Sequence, residues 1–220
     1  MMDFPKARVN MIDGQLSTSG VVNEQILESF SYVPREMFVP QKLRDVAYID
    51  ESLDIGQGRF LLSPIVYSKM VQAANPCGFD VVLDIGSAYG YSSAILSPLV
   101  TTVIALEHNK RQMDKAAKLW EQLGVNNIVL SEGELANGVP EQAPYSLIII
   151  NGAVSEVPKK IIDQIDVGGR LVAVVREDSS YVGCATLFIK SHNGDVSCKK
   201  LFDANIPFIK GFEPSLEFEF

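Results

Sequence analysis

The sequence predicts an α/β fold: a mostly parallel sheet covered by helices, with an antiparallel hairpin at its C-terminal end and a helical extension at its N-terminus. Two observations carry this. From Asp80 onward, short apolar runs alternate with helical segments, and runs apolar on both faces suit central strands of a parallel sheet. The runs are VVLDI (81–85), TVIALE (102–107), NIVL (127–130), YSLIIIN (145–151) and GRLVAVV (169–175). Beyond them, GCATLFIK (183–190), a turn at His192-Asn193-Gly194-Asp195 and VSCKKLFDA (196–204) read as a hairpin that closes the sheet edge.

Residues 1–50 read as helix and loop. Val21, Val22, Ile26, Leu27 and Phe30 recur at three-to-four spacing, and Pro34 stops the pattern. Between the second and third apolar runs, Asn109 to Leu123 places Met113, Ala116, Ala117, Trp120 and Leu123 on one helical face before Gly124. Trp120 is therefore expected in the core. The tail from Gly211 to Phe220 alternates apolar and acidic residues, a pattern compatible with an edge strand, docking over the sheet or contact with a second subunit.

Composition narrows the function classes. The 220 residues, 47% hydrophobic, suffice for a single domain spanning 1–220, with 1–75 as lead-in and substrate loop and 76–220 as the α/β core. A net charge of −8 without a Lys/Arg run argues against a nucleic-acid partner. No stretch of about 18 apolar residues appears, so no membrane span is expected. Asp3, Lys6 and Arg8 occupy the place of a secretory apolar region, and a cytoplasmic chain is expected. Three cysteines and two histidines, in no ligand spacing, predict no metal site.

The strongest local signal is Asp84-Ile85-Gly86-Ser87-Ala88-Tyr89-Gly90, which follows a strand and opens a helix over Tyr91–Leu99. Glycines there let the backbone turn sharply and approach a ligand, with helix N–H groups facing it. Glu107 ends the next strand about 20 residues on, where a carboxylate accepts both hydroxyls of a ribose. That spacing suits a dinucleotide or S-adenosylmethionine. Asp84 favours the second, because a carboxylate at the loop mouth repels pyrophosphate and attracts an ammonium. Glu134, just past the third strand, is a further candidate contact. A ligand-binding loop is expected to keep Ala88, in its middle, at negative φ.

Val33-Pro34-Arg35-Glu36-Met37-Phe38-Val39-Pro40, then Ala47-Tyr48-Ile49-Asp50 and Ile55-Gly56-Gln57-Gly58, resemble in order the V-P-R-E-x-F-V-P, A-Y-x-D and I-G-x-G segments of protein-L-isoaspartate O-methyltransferases. The adenosylmethionine loop, Glu107, Gly133, Gly138, Ala143-Pro144-Tyr145 and Val167-Gly168-Gly169-Arg170-Leu171-Val172 continue the match. The resemblance implies a Rossmann-like class I methyltransferase fold and transfer of a methyl group from adenosylmethionine to the carboxylate of an isoaspartyl residue in a protein or peptide. It places cofactor contacts on Asp84, Gly86, Ser87, Ala88, Gly90, Glu107 and Glu134. The family follows I-G-x-G with Q-T-I-S; here the stretch reads Arg59-Phe60-Leu61-Leu62, with Ser63 one residue later. Arg59, Phe60, Leu62 and Ser63 are thus the candidate substrate loop. Arg59 is expected either to hold the acceptor carboxylate bidentately or to pair with Glu51 or Asp54. Loss of the two hydroxyls leaves two readings open, an active methyltransferase with a divergent acceptor or a cofactor-binding member that has lost catalysis.

Overall fold

The computed structural model describes residues 2–177 and 182–214. Three helices lead in: α1 (Phe4–Met11), α2 (Glu24–Tyr32) and, after a small hairpin, α3 (Pro64–Ala74). Asp3, Asn23 and Ser63 cap them, each side chain accepting from a backbone N–H of the first turn. The hairpin, β1 (Leu53–Gly56) and β2 (Arg59–Leu61), was not legible in the sequence. Its turn places Gln57 at φ 60° and Gly58 at φ 68°, the two consecutive positive values that tight hairpins require.

A seven-stranded sheet follows: β3 (Val81–Ile85), β4 (Thr102–Glu107), β5 (Ile128–Glu132), β6 (Tyr145–Val154), β7 (Ile165–Val175), β8 (Gly183–Lys190) and β9 (Val196–Ala204). Its order is β5-β4-β3-β6-β7-β8-β9, parallel through β7 and antiparallel in the last two pairings. Strand order reverses between β3 and β6, where open α/β sheets place their ligands. The helices α4 (Tyr91–Leu96), α5 (Lys110–Gln122) and α6 (Lys159–Ile162) connect the strands. The expected helix over 91–99 is α-helical only through Leu96 and tightens into a 3-10 turn over Ser97–Leu99, where Pro98 lacks an N–H.

Strand alternation divides the core. Val82, Leu147 and Ile149 face the side covered by α1 to α5, whereas Leu83, Ile85, Ile148 and Ile150 face a thinner cover that includes Leu135, Ile161, Ile209 and Phe212. The segment 205–212 docks across the C-terminal end of β6, with Ala153 N donating to Pro207 O and Ile209 N to Ala153 O. The tail expectation is resolved to Pro214 as docking over the sheet; residues 215–220 lie outside the described region. Trp120 is buried as expected. Cys77 and Cys198 are exposed, since Cys77 lies in the loop before β3 and Cys198 on edge strand β9.

An ion pair ties the sheet at the end opposite the β3–α4 loop, where Asp80 leads into β3 and Arg170 projects from β7. Arg170 Nη1 and Nη2 donate to Asp80 Oδ1 and Oδ2 at 2.9 and 2.6 Å, and the same guanidinium reaches the carbonyls of Ala74, Asn75 and Ser146. Burial opposes ionisation of Asp80, but the Arg170 fork and the Cys77 amide outweigh it and lower its pKa from 3.8 to about 2. A carboxyl depressed on folding contributes stability that is complete above its unfolded pKa and lost as pH falls through its folded one. Acid unfolding should therefore show a loss of about 2 kcal/mol from this group between about pH 4 and pH 2. Asp80→Asn should remove that part of the pH dependence; an unchanged pH profile in urea unfolding would refute the assignment.

Candidate functional site

The octet at 33–40 organises the site without lining it with charge. Arg35 is fully buried; its Nε donates to Ala47 O (2.6 Å) and its Nη2 to Leu62 O (2.7 Å), so it holds the chain just after β2. Its guanidinium lies 5.0 Å from the centroid of the Tyr91 ring. Glu36 pairs with Arg8 at 3.3 Å and accepts from the Tyr48 hydroxyl, and Asp50 Oδ1 accepts from Ile65 N. The A-Y-I-D stretch is thereby bound to both the octet and the start of α3. Sequence reasoning missed these roles because the partners lie 12 to 28 residues apart along the chain.

The loop after β3 turns through Gly86 (φ 77°), Ala88 (φ 50°) and Gly90 (φ 85°). Trp120 requires Gly90: a Cβ there would lie 2.4 Å from Trp120 Cζ2, and Trp120 Nε1 donates to Gly90 O. Gly86 is packed on the other side by Ile209, whose Cδ1 would lie 2.3 Å from a Cβ at Gly86. The expectation of negative φ at Ala88 is overturned. The turn needs a left-handed residue at this point, and Ala88 adopts it at a strain of about 1–2 kcal/mol, while its N–H donates to Glu107 Oε2 (3.1 Å).

Asp84 is fully buried and already satisfied. Ser92 and Ser93 hydroxyls donate to Oδ2, and Asn151 Nδ2 donates to Oδ1 at 2.6 Å. Burial pushes its carboxyl up, the three donors oppose the rise and the nearby Glu107 charge adds to it. Where the sequence suggested an ammonium contact, the carboxylate instead ties β3 to α4 and β6. Ser63 is likewise a helix cap, its Oγ accepting from Val66 N, and so turns away from the substrate-loop role. Glu134 is exposed at the start of a 3-10 turn.

Glu107 and Arg59 form the centre of the site. Arg59 Nε donates to Glu107 Oε2 (2.9 Å) and Nη2 to Oε1 (3.0 Å), a two-pronged pair with side chains 1% and 0% exposed. Neither Glu51 nor Asp54 is the partner, because the β1–β2 hairpin turns Arg59 inward. The backbone amides of Ala88, His108 and Asn109 also donate to Glu107. Burial acts to raise the Glu107 carboxyl, but Arg59 and the amides outweigh it and hold it below 4.5.

Beside the pair is a void of about 20 Å³, lined by Phe60, Leu62, Ser87, Ala88, Tyr91 and Asn151 among others. Ser87 Oγ is buried there without a hydrogen-bond partner among the described residues. A second, open cleft of about 480 Å³ runs past Gln57, Tyr89, His108, Lys110 and Gln112. Tyr89 lines both.

Two outcomes test this geometry. Removing one partner of a buried ion pair strands the other, so Glu107→Ala should lose about 3–5 kcal/mol in urea unfolding, with much of it recovered by Arg59→Gln/Glu107→Gln. A Glu107→Ala chain of wild-type stability would dismiss the pair as a clamp. At Ala88, relief of left-handed strain outweighs loss of a buried methyl, so Ala88→Gly should raise the melting temperature by about 1–3 °C. Ala88→Val should lower it, since a β-branched residue tolerates positive φ poorly. A lower melting temperature for Ala88→Gly would show that the position is unstrained.

The model of the protein-L-isoaspartate(D-aspartate) O-methyltransferase family matches residues 7–210. Protein-L-isoaspartate O-methyltransferase 1 of Rhodopseudomonas palustris (strain HaA2) is 33% identical over 207 residues, 94% of this chain and 84% of that one. A protein-L-isoaspartate O-methyltransferase of Synechococcus sp. (strain JA-2-3B'a(2-13)) is 37% identical over 189 residues, 84% of this chain and 78% of that one. Among solved structures, a protein-L-isoaspartate O-methyltransferase superposes with a TM-score of 0.79 at 25% identity, covering 93% of this chain and 66% of that one. A Plasmodium falciparum protein described as belonging to the same enzyme class, in complex with S-adenosyl-L-homocysteine, gives 0.75 at 17% identity, covering 92% of this chain and 98% of that one, a likeness of fold. With the octet, the β3–α4 loop and Glu107 all in place on this sheet, the chain belongs to the protein-L-isoaspartate(D-aspartate) O-methyltransferase family.

Proposed function

We propose that the chain is an S-adenosylmethionine-dependent O-methyltransferase whose acceptor is the free carboxylate of isoaspartyl residues in proteins. The observation that carries this is the pairing of the Gly86–Gly90 turn after β3 with Glu107 at the end of β4, beside the point where strand order reverses. The relatives compared carry the enzyme's name, and nothing in them favours a member that has lost catalysis.

The donor set fits adenosylmethionine in kind. Glu107 is a carboxylate placed for a ribose diol, the Gly86–Gly90 turn supplies backbone amides, and Ser87 Oγ is a buried group in want of a partner. The void beside them is far smaller than the roughly 300–1,000 Å³ of small-molecule sites, so Arg59 and its hairpin must shift for binding. When bound, the cofactor supplies an activated methyl group on a sulfonium. The acceptor carboxylate is ionised at neutral pH and needs no general base, so no proton-transferring residue is required. Phe38, Phe60, Leu62 and Tyr67 present an apolar wall that excludes water. Arg59 supplies the positive charge for an anionic acceptor.

We also infer a cytoplasmic setting from the free cysteines Cys77, Cys184 and Cys198, and no nucleic-acid partner from the net charge of −8. Among the described residues no helix is long and apolar enough to cross a membrane.

The test is methyl-ester formation, read as alkali-released methanol, on an isoaspartyl peptide and its aspartyl counterpart. Wild-type chain should methylate the first and not the second. Phe60→Thr/Leu62→Ser should raise turnover about tenfold, since a hydrogen bond to a charged group contributes about 1.5–3 kcal/mol. Absence of methyl ester from both chains would sink the reading.

A further inference from the structure

Arg59 lies where a cofactor ribose must go. Both Glu107 oxygens accept from its guanidinium, and the pair is sealed from solvent. A diol cannot reach Glu107 until Arg59 withdraws. Glu107 tolerates the exchange, because the amides of Ala88, His108 and Asn109 stay on it. Arg59 does not tolerate it equally: a buried guanidinium that leaves its carboxylate needs another anion.

The adjoining void has none to offer and no cation of its own. None of the residues that line it is Lys, Arg or His, and Phe60, Leu61 and Leu62, which follow Arg59 along the chain, are apolar. The other buried guanidinium nearby, Arg35, gives Nε and Nη2 to the carbonyls of Ala47 and Leu62 and lies against the Tyr91 ring, and it is not among the residues that line the void. An acceptor carboxylate that enters this void therefore meets the cation displaced from Glu107, carried on the residue next to Phe60 of its lining. The β1–β2 hairpin that carries Arg59 makes its strand pairing only within itself, so no hydrogen-bond ladder to the main sheet has to break when Arg59 withdraws.

We propose that Arg59 is a shared cation, held by Glu107 in the closed site and handed to the acceptor carboxylate when a ribose diol takes Glu107, so that cofactor and acceptor bind synergistically. This rests on the methyltransferase reading above. The exchange forms and breaks no covalent bond. By linkage, whatever factor the acceptor adds to cofactor affinity, the cofactor adds to acceptor affinity.

The experiment is calorimetric titration of the full chain with S-adenosylhomocysteine, alone and with saturating isoaspartyl peptide, using the neutral isoasparaginyl peptide as control. Wild-type affinity should rise at least tenfold with the isoaspartyl peptide and not with the control. Arg59→Gln should bind S-adenosylhomocysteine at least tenfold more tightly than wild type without peptide, and gain nothing when peptide is added. If circular dichroism shows that Arg59→Gln is unfolded, Arg59→Lys takes its place, with an intermediate affinity and a reduced peptide effect expected because ammonium lacks the two-pronged fit. Equal affinity in wild type and variant, or an equal peptide effect in both, overturns the shared cation while leaving the methyltransferase reading intact. No binding to any chain under any condition overturns that reading and this proposal together.

Discussion

The structure of the site depends on one buried ion pair. Arg59 and Glu107 come from a two-stranded hairpin and from the end of a central strand, 48 residues apart in sequence, and meet almost completely sealed from water. Charges in such surroundings attract strongly and are expensive to leave alone, so each fixes the other. The hairpin has no main-sheet partner strand; its position follows from this pair and from the apolar packing of Leu53, Ile55 and Leu61. Glu107 in turn holds the Ala88 amide, and with it the left-handed turn that opens α4.

A second carboxylate on the neighbouring strand is treated in the opposite way. Asp84 has hydroxyl and amide donors but no cation, and burial raises its pKa; Glu107 has a guanidinium and is held low. The two acids lie on adjacent strands but are offset, Asp84 on β3 facing Ala105 on β4 two residues before Glu107. Asp84 serves the framework, joining β3 to α4 and β6, and Glu107 keeps the charge at the ligand edge.

The family's motif residues divide in the same manner between framework and chemistry. Arg35 and Glu36, in the most specific segment of the sequence, join α1, the 47–50 stretch and the Leu62 carbonyl into one support. Gly90 is required by Trp120, which links the turn to α5. The segment at 205–212 completes the support by laying Ile209 against both Gly86 and Gly152.

The sheet and its ligand edge are legible along the chain alone. Apolar runs on both faces placed β3, β4, β6 and β7 within a few residues, the Asn-Gly turn placed the β8–β9 hairpin, and the helical stripe placed Trp120 in the core. These features are local, set by period and turn chemistry, so a single chain displays them. Only the tertiary structure decided what each polar residue does. Ser63 became a cap because α3 starts there, Asp84 a buried tie because Ser92, Ser93 and Asn151 converge on it, and Ala88 left-handed because the turn allows nothing else. Arg59 turned from a loop cation into the partner of Glu107 through a hairpin whose short strands gave no periodic signal. Desolvation and hydrogen-bond geometry act between residues distant in sequence, and no spacing along the chain encodes them.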